Sequence, residues 1–216
     1  MPRAFLIVMG LACLLSWGCQ QEGAEEGDEY GTEDTTAQAA MPADASPAPG
    51  TPEAKIANAE SAAPPDIARN ATIMDWPAEE GGEPTELRAG TNGWTCFPNT
   101  PAAAGASGED PMCLDGEWLK FAQAWMGKTQ PSVSSVGLGY MFRGDMGVSN
   151  IDPYATAETP DNQWVVSGPH IMIITPDADA LSALPTDPAS GGPWVMWPGT
   201  PYAHIMVPVE SPSTKS

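Results

Sequence analysis

Asp115-Gly116-Glu117-Trp118-Leu119-Lys120-Phe121-Ala122-Gln123-Ala124-Trp125-Met126-Gly127 is the stretch from which the fold is read. Trp118, Phe121, Ala122, Trp125 and Met126 recur at the spacing of one helical face. Asp115 supplies an N-cap oxygen and Gly127 ends the run. Outward from this helix the pattern changes to short β-type runs. Ala71 to Trp76 and Glu86 to Phe97 read as strands around a Glu-Gly-Gly turn region. Val133 to Arg143 is a third strand, whose Gly137 and Gly139 imply a bulge or close packing. Gln163 to Thr175 is the strongest strand, rich in Val and Ile, and Trp194 to Trp197 with Ala203 to Val209 form a last pair across a Pro-Gly-Thr-Pro turn. Asp177 caps a short second helix that runs through Leu184 and stops at Pro185. One amphipathic helix among such runs gives an α+β domain over residues 67–216: a mainly antiparallel sheet with the helix packed on it. Trp76, Trp94, Trp118, Trp125, Trp164, Trp194 and Trp197 supply large rings for its core.

Composition excludes several classes. The 216 residues carry 8 Lys and Arg against 28 Asp and Glu, a net charge of −20. Such a surface repels phosphate backbones, so nucleic acid is not an expected partner. With 22 Gly and 24 Pro, together well above ordinary usage, long helical bundles and coiled coils are disfavoured.

The N-terminus reads as an address. Arg3 gives a positive n-region, and Ala4 to Leu15 is apolar but too short to span a bilayer comfortably. Leu15-Ser16-Trp17-Gly18-Cys19 follows and resembles a bacterial lipobox, which implies that residues 1–18 are a lipoprotein signal peptide and that Cys19 is acylated after cleavage. Trp17 is an unusual middle residue, Cys13 is a weaker alternative, and an ordinary secretory signal with an incidental Cys19 is the plainer one. Gln20, where inner-membrane lipoproteins commonly carry Asp, resembles the outer-membrane pattern. Residues 19–66 read as a disordered acidic Pro/Ala-rich tether: they have almost no large apolar residue, and between Glu22 and Asp66 the sole base is Lys55. Ala, Glu and Lys between Glu53 and Ala62 allow a short helix within it. The expected setting is the cell envelope, with the membrane reached through a lipid anchor.

Two thiols then remain, Cys96 and Cys113. Export places them in an oxidising compartment, where a structural disulfide is expected, and the Cys-x-x-Cys spacing of a redox pair is absent.

Several segments carry a resemblance. They are Leu87-Arg88-Ala89-Gly90-Thr91-Asn92-Gly93-Trp94-Thr95-Cys96, Asp110-Pro111-Met112-Cys113, Gly168-Pro169-His170-Ile171-Met172 and Gly199-Thr200-Pro201-Tyr202-Ala203-His204. Together with Tyr140-Met141 and Ser149-Asn150 they resemble an uncharacterised family of exported bacterial proteins and lipoproteins. The resemblance implies an envelope location and brings no activity with it.

Three constellations are candidates for chemistry. Asp145, Ser149, Asn150 and Asp152 place oxygen ligands densely after a strand, as for a small ligand or Ca²⁺. The simpler reading is a turn whose side chains satisfy their own backbone. His170 and Met172, with His204 and Met206, stand at i and i+2 on two strands, so each His shares a face with its Met. If those strands pair and the imidazoles meet, the set suits Cu(I). The simpler reading is that Met fills the core and His bonds locally. Catalysis is the most distant reading: with two histidines and no Gly-x-Ser-x-Gly, Walker or His-Glu-x-x-His motif, only a loose grouping of Ser149, an Asp and His170 or His204 is available. The leading expectation is a non-catalytic domain that binds a small molecule, a metal or an envelope protein, of unknown cofactor.

Overall fold

The computed structural model describes residues 47–79, 81–102 and 108–209. The expected signal peptide, Cys19 and most of the expected tether lie outside the described residues. No described helix is long and apolar enough to cross a membrane.

The chain is α+β, with an eight-stranded, mainly antiparallel sheet. In chain order the elements are α1 (Pro52–Glu60), α2 (Pro65–Ala68), β1 (Thr72–Asp75), β2 (Thr85–Arg88), β3 (Thr95–Phe97), β4 (Met112–Leu114), α3 (Gly116–Met126), β5 (Gly137–Met141), β6 (Val148–Ser149), β7 (Trp164–Val165), β8 (His170–Ile174), α4 (Ala178–Ser182), a 3-10 turn (Pro188–Ser190), β9 (Trp194–Met196) and β10 (His204–Pro208). The sheet order is β2-β1-β3-β4-β5-β8-β10-β9, and β6 pairs with β7 in a separate ribbon. Only β1 and β3 run parallel within the large sheet; its other pairs are antiparallel.

The sheet is covered on opposite faces at its two ends. Residues directly opposite in a ladder share a face. Gly139 opposes Leu114 and Met172, and Met172 opposes Met206. This face carries α3 and the larger core: Trp118, Phe121, Met141, Ile174, Trp194, Met196, Trp197 and Tyr202 join them. The other face, at the β1–β3–β4 end, carries Ile73, Cys96 and Cys113 under Ala59, Ala62, Ala63, Ala68 and Ala71 of the α1–α2 region. Cys96 and Cys113 lie directly opposite each other on β3 and β4, joined by the expected disulfide.

The α3 helix matches the sequence reading at both ends. Asp115 Oδ1 accepts the N–H groups of Glu117 and Trp118, while Oδ2 takes the N–H of Leu138 and so ties the cap to β5. Gly137 and Gly139 mark close packing rather than a bulge. A Cβ on Gly139 would sit 2.5 Å from the Trp118 indole nitrogen, which donates across this gap to the Met172 carbonyl.

Four boundaries differ from the sequence reading. The tether does not continue to residue 66: Thr51 caps α1 through Ala54 N–H, and Ala59 and Ala62 are fully buried. Alanine is scored as weakly apolar, yet a small face lets a helix lie close against a sheet. Arg88 holds this region down, pairing with Glu60 and donating to the carbonyls of Ala68 and Ala71. Glu86 to Phe97 is two strands, divided where Gly93 takes a φ of 78°. Gln163 to Thr175 is also two, divided at Ser167-Gly168-Pro169. Met112–Leu114, around Cys113 and just before the α3 cap, is a further strand that the sequence reading does not contain.

Candidate functional site

The two His-Ile-Met segments are neighbours, as expected: β8 and β10 pair with Met172 opposite Met206 and His170 opposite Pro208. His170, Met172, His204 and Met206 therefore share one buried face. The register sets how far apart the two histidines stand on the strands. His204 falls at the level of Ile174, four residues along the ladder from His170, which is about 13 Å at the rise of an extended strand. A metal ion needs both imidazole nitrogens about 2 Å away, so one ion cannot take both rings. Among the described residues no three His, Cys, Asp or Glu side chains gather as for a metal.

Each ring is instead bound locally. His170 Nδ1 donates to the Gly168 carbonyl at 2.7 Å, and His204 Nδ1 to the Tyr202 carbonyl at 3.0 Å; a carbonyl only accepts, which fixes the proton on Nδ1. His204 sits edge-on to Trp118, Trp197 and Phe121, with centroids 5.3, 4.9 and 6.2 Å away. Burial pushes it down to about 4. Burial also lowers His170, against a Gly168 bond and an Asp145 carboxylate that act the other way.

The side chains of the polar loop bond within the protein. Asp145 Oδ1 accepts the N–H groups of Gly147 and Ser167, and burial raises its carboxyl above the usual range. Ser149 Oγ donates to the Asn162 carbonyl and accepts the N–H of Asp152. Asp152 Oδ1 accepts the Tyr154 N–H. Asn150 bonds Gln163, Thr186 and Trp194. Asp145 Oδ1, Ser149 Oγ, Asn150 Oδ1 and Asp152 Oδ1 are each engaged by the protein's own donors, as in the turn-type reading. Nor does Ser149 bond either histidine, so the loose catalytic grouping does not assemble.

The structure offers a different site. A cleft of about 630 Å³ lies between the start of α1 and the ends of β1 and β3, walled by Pro49, Pro77, Pro98, Pro101 and the indole of Trp76. Its volume falls in the range of small-ligand sites. Trp76 is held in place: Nε1 donates to the Pro98 carbonyl at 2.7 Å, and the ring packs on Phe97 with centroids 4.8 Å apart. Lys55 and Asp75 form an ion pair in the wall, and Asn58 and Asn99 line it with carboxamides. Sequence reading does not find this site, because Lys55 and Asn58 fall in the stretch whose composition reads as tether. The available signal was a tryptophan, Trp76, followed by Pro77 where a strand should end.

No protein family, curated protein or solved structure matches the chain.

Proposed function

We propose that the protein is a bacterial envelope lipoprotein whose folded domain is a non-catalytic binding module, and that the Trp76 cleft is its binding site. The cleft carries this reading. It joins a fixed aromatic ring, rigid proline walls and a few polar groups, the composition expected of a small-molecule or peptide site. The envelope setting rests on Arg3, the apolar Ala4–Leu15 stretch and the lipobox-like Ser16-Trp17-Gly18-Cys19, supported by the resemblance of the Trp94–Cys96 and Gly168–Met172 segments to exported proteins. Cys19 would then be the acylated residue and the membrane the first partner.

Two measurements test it. Cys19→Ser should move the protein to the soluble fraction and abolish incorporation of a fatty-acid probe; unchanged membrane partitioning would remove the lipoprotein reading. Ligand candidates from envelope extracts, screened by NMR, should shift the Trp76 indole resonance before those of Trp118 or Trp194. Ligands that perturb only other tryptophans would place the site elsewhere.

A further inference from the structure

We infer that the Trp76 cleft takes a proline-rich segment of a partner protein in polyproline II conformation, a conclusion that rests on the cleft being the binding site. Asn58 Oδ1 accepts the backbone N–H of Asn99 at 2.7 Å, and Asn99 Oδ1 accepts that of Asp110 at 3.0 Å. Both carboxamides are therefore turned with oxygen toward the fold, and neither NH₂ group has a partner among the described residues. Asp75 is engaged at both oxygens, by the Trp76 N–H and by Lys55. The Lys55 ammonium keeps hydrogens beyond the one that Asp75 takes. The Trp76 indole N–H is committed to Pro98.

The side-chain acceptors of the cleft are thus engaged, while two amide NH₂ groups and an ammonium remain to donate. The surfaces between them are pyrrolidine rings and an indole face. The matching ligand is apolar, rigid and rich in acceptors, with few donors of its own to satisfy. A run of prolines has that chemistry: each tertiary amide presents a carbonyl and no N–H. Its polyproline II form leaves every carbonyl unpaired and loses little entropy on docking against an aromatic-lined groove. A saccharide fits less well, because each hydroxyl also brings a hydrogen that needs an acceptor. A phosphate would meet Asp75 and a chain of net charge −20.

The test is calorimetric titration of the full chain with deca-proline, a Gly/Ser decapeptide and a neutral oligosaccharide. Deca-proline should bind saturably and the Gly/Ser peptide should not. Asn58→Asp keeps the oxygen that holds Asn99 and replaces the NH₂ with a second acceptor. It should weaken deca-proline binding about tenfold or more with an unchanged melting temperature. Trp76→Ala should abolish binding. Equal deca-proline affinity in wild type and Asn58→Asp overturns the inference. Oligosaccharide binding that Trp76→Ala removes, with no deca-proline binding, overturns it while leaving the cleft as the site. A peptide of residues 41–50 that outcompetes deca-proline would transfer the occupant from a partner to this chain itself. No ligand response at Trp76 would overturn both readings.

Discussion

Asn150 is fully buried, and its carboxamide joins three segments: it donates to Gln163 Oε1 and the Thr186 carbonyl and accepts the Trp194 indole N–H. Its backbone adds two more bonds, accepting from Trp197 N–H and donating to the Gln163 carbonyl. Trp197 is a non-glycine residue at a φ of 55°, a conformation that costs roughly 1–2 kcal/mol. It is held there because its backbone N–H reaches Asn150 and its indole N–H reaches the Ser149 carbonyl. Asn150→Ala leaves the buried Trp194 indole N–H without an acceptor, and the expected loss is about 2–4 kcal/mol. Urea unfolding should show a lower midpoint at an unchanged slope. A midpoint equal to wild type would show that Asn150 is dispensable. In the sequence Ser149-Asn150 was visible as a dense polar pair; what it bonds was not, since Trp194 and Thr186 are remote in the chain.

Elements with local signals were legible and those set by remote contacts were not. The α3 helix carries its cap, its period and its stop within Asp115 to Gly127, and the β9–β10 pair carries its turn. The pairing of β8 with β10 was anticipated, but no short turn joins these strands, so nothing local fixes their register. That register decides whether His170 and His204 meet. The α1 helix was legible as a helix and misplaced as tether, because its buried face is alanine. A chain beginning at residue 67 would lack the cover over Ile73, Cys96 and Cys113 and the Glu60 partner of Arg88. Uncovering Ile73 alone forfeits about 2 kcal/mol. That chain should melt well below one beginning at residue 47, and equal melting temperatures by circular dichroism would return α1 to the tether.

At the scale of the molecule, the two buried histidines give stability a pH dependence. His204 is held neutral, down at about 4 from an ordinary 6.5. A base with a depressed folded value contributes its stability above its unfolded pKa and loses it as pH falls toward the folded one. The window is therefore pH 6.5 to 4, and the loss approaches about 3 kcal/mol at its lower end. His170 is shifted in the same direction by burial. Asp145 is raised, so its protonation on acidification acts in the opposite sense. The melting temperature should fall between pH 7 and 4, and His204→Gln should flatten the fall. A wild-type curve that is level over this range would contradict the buried neutral imidazole.

Pro49 and Gly50, just before the Thr51 cap of α1, are themselves wall residues of the cleft. A pull applied to the chain at Pro49 arrives there before it reaches any strand. The first structure to bear it is α1, fastened by Thr51, the Lys55–Asp75 pair and alanine contacts, and such a helix peels turn by turn, whereas the sheet behind it must shear as a block. Such a pull would thus distort the cleft while leaving the sheet intact, making occupancy of the cleft responsive to mechanical load.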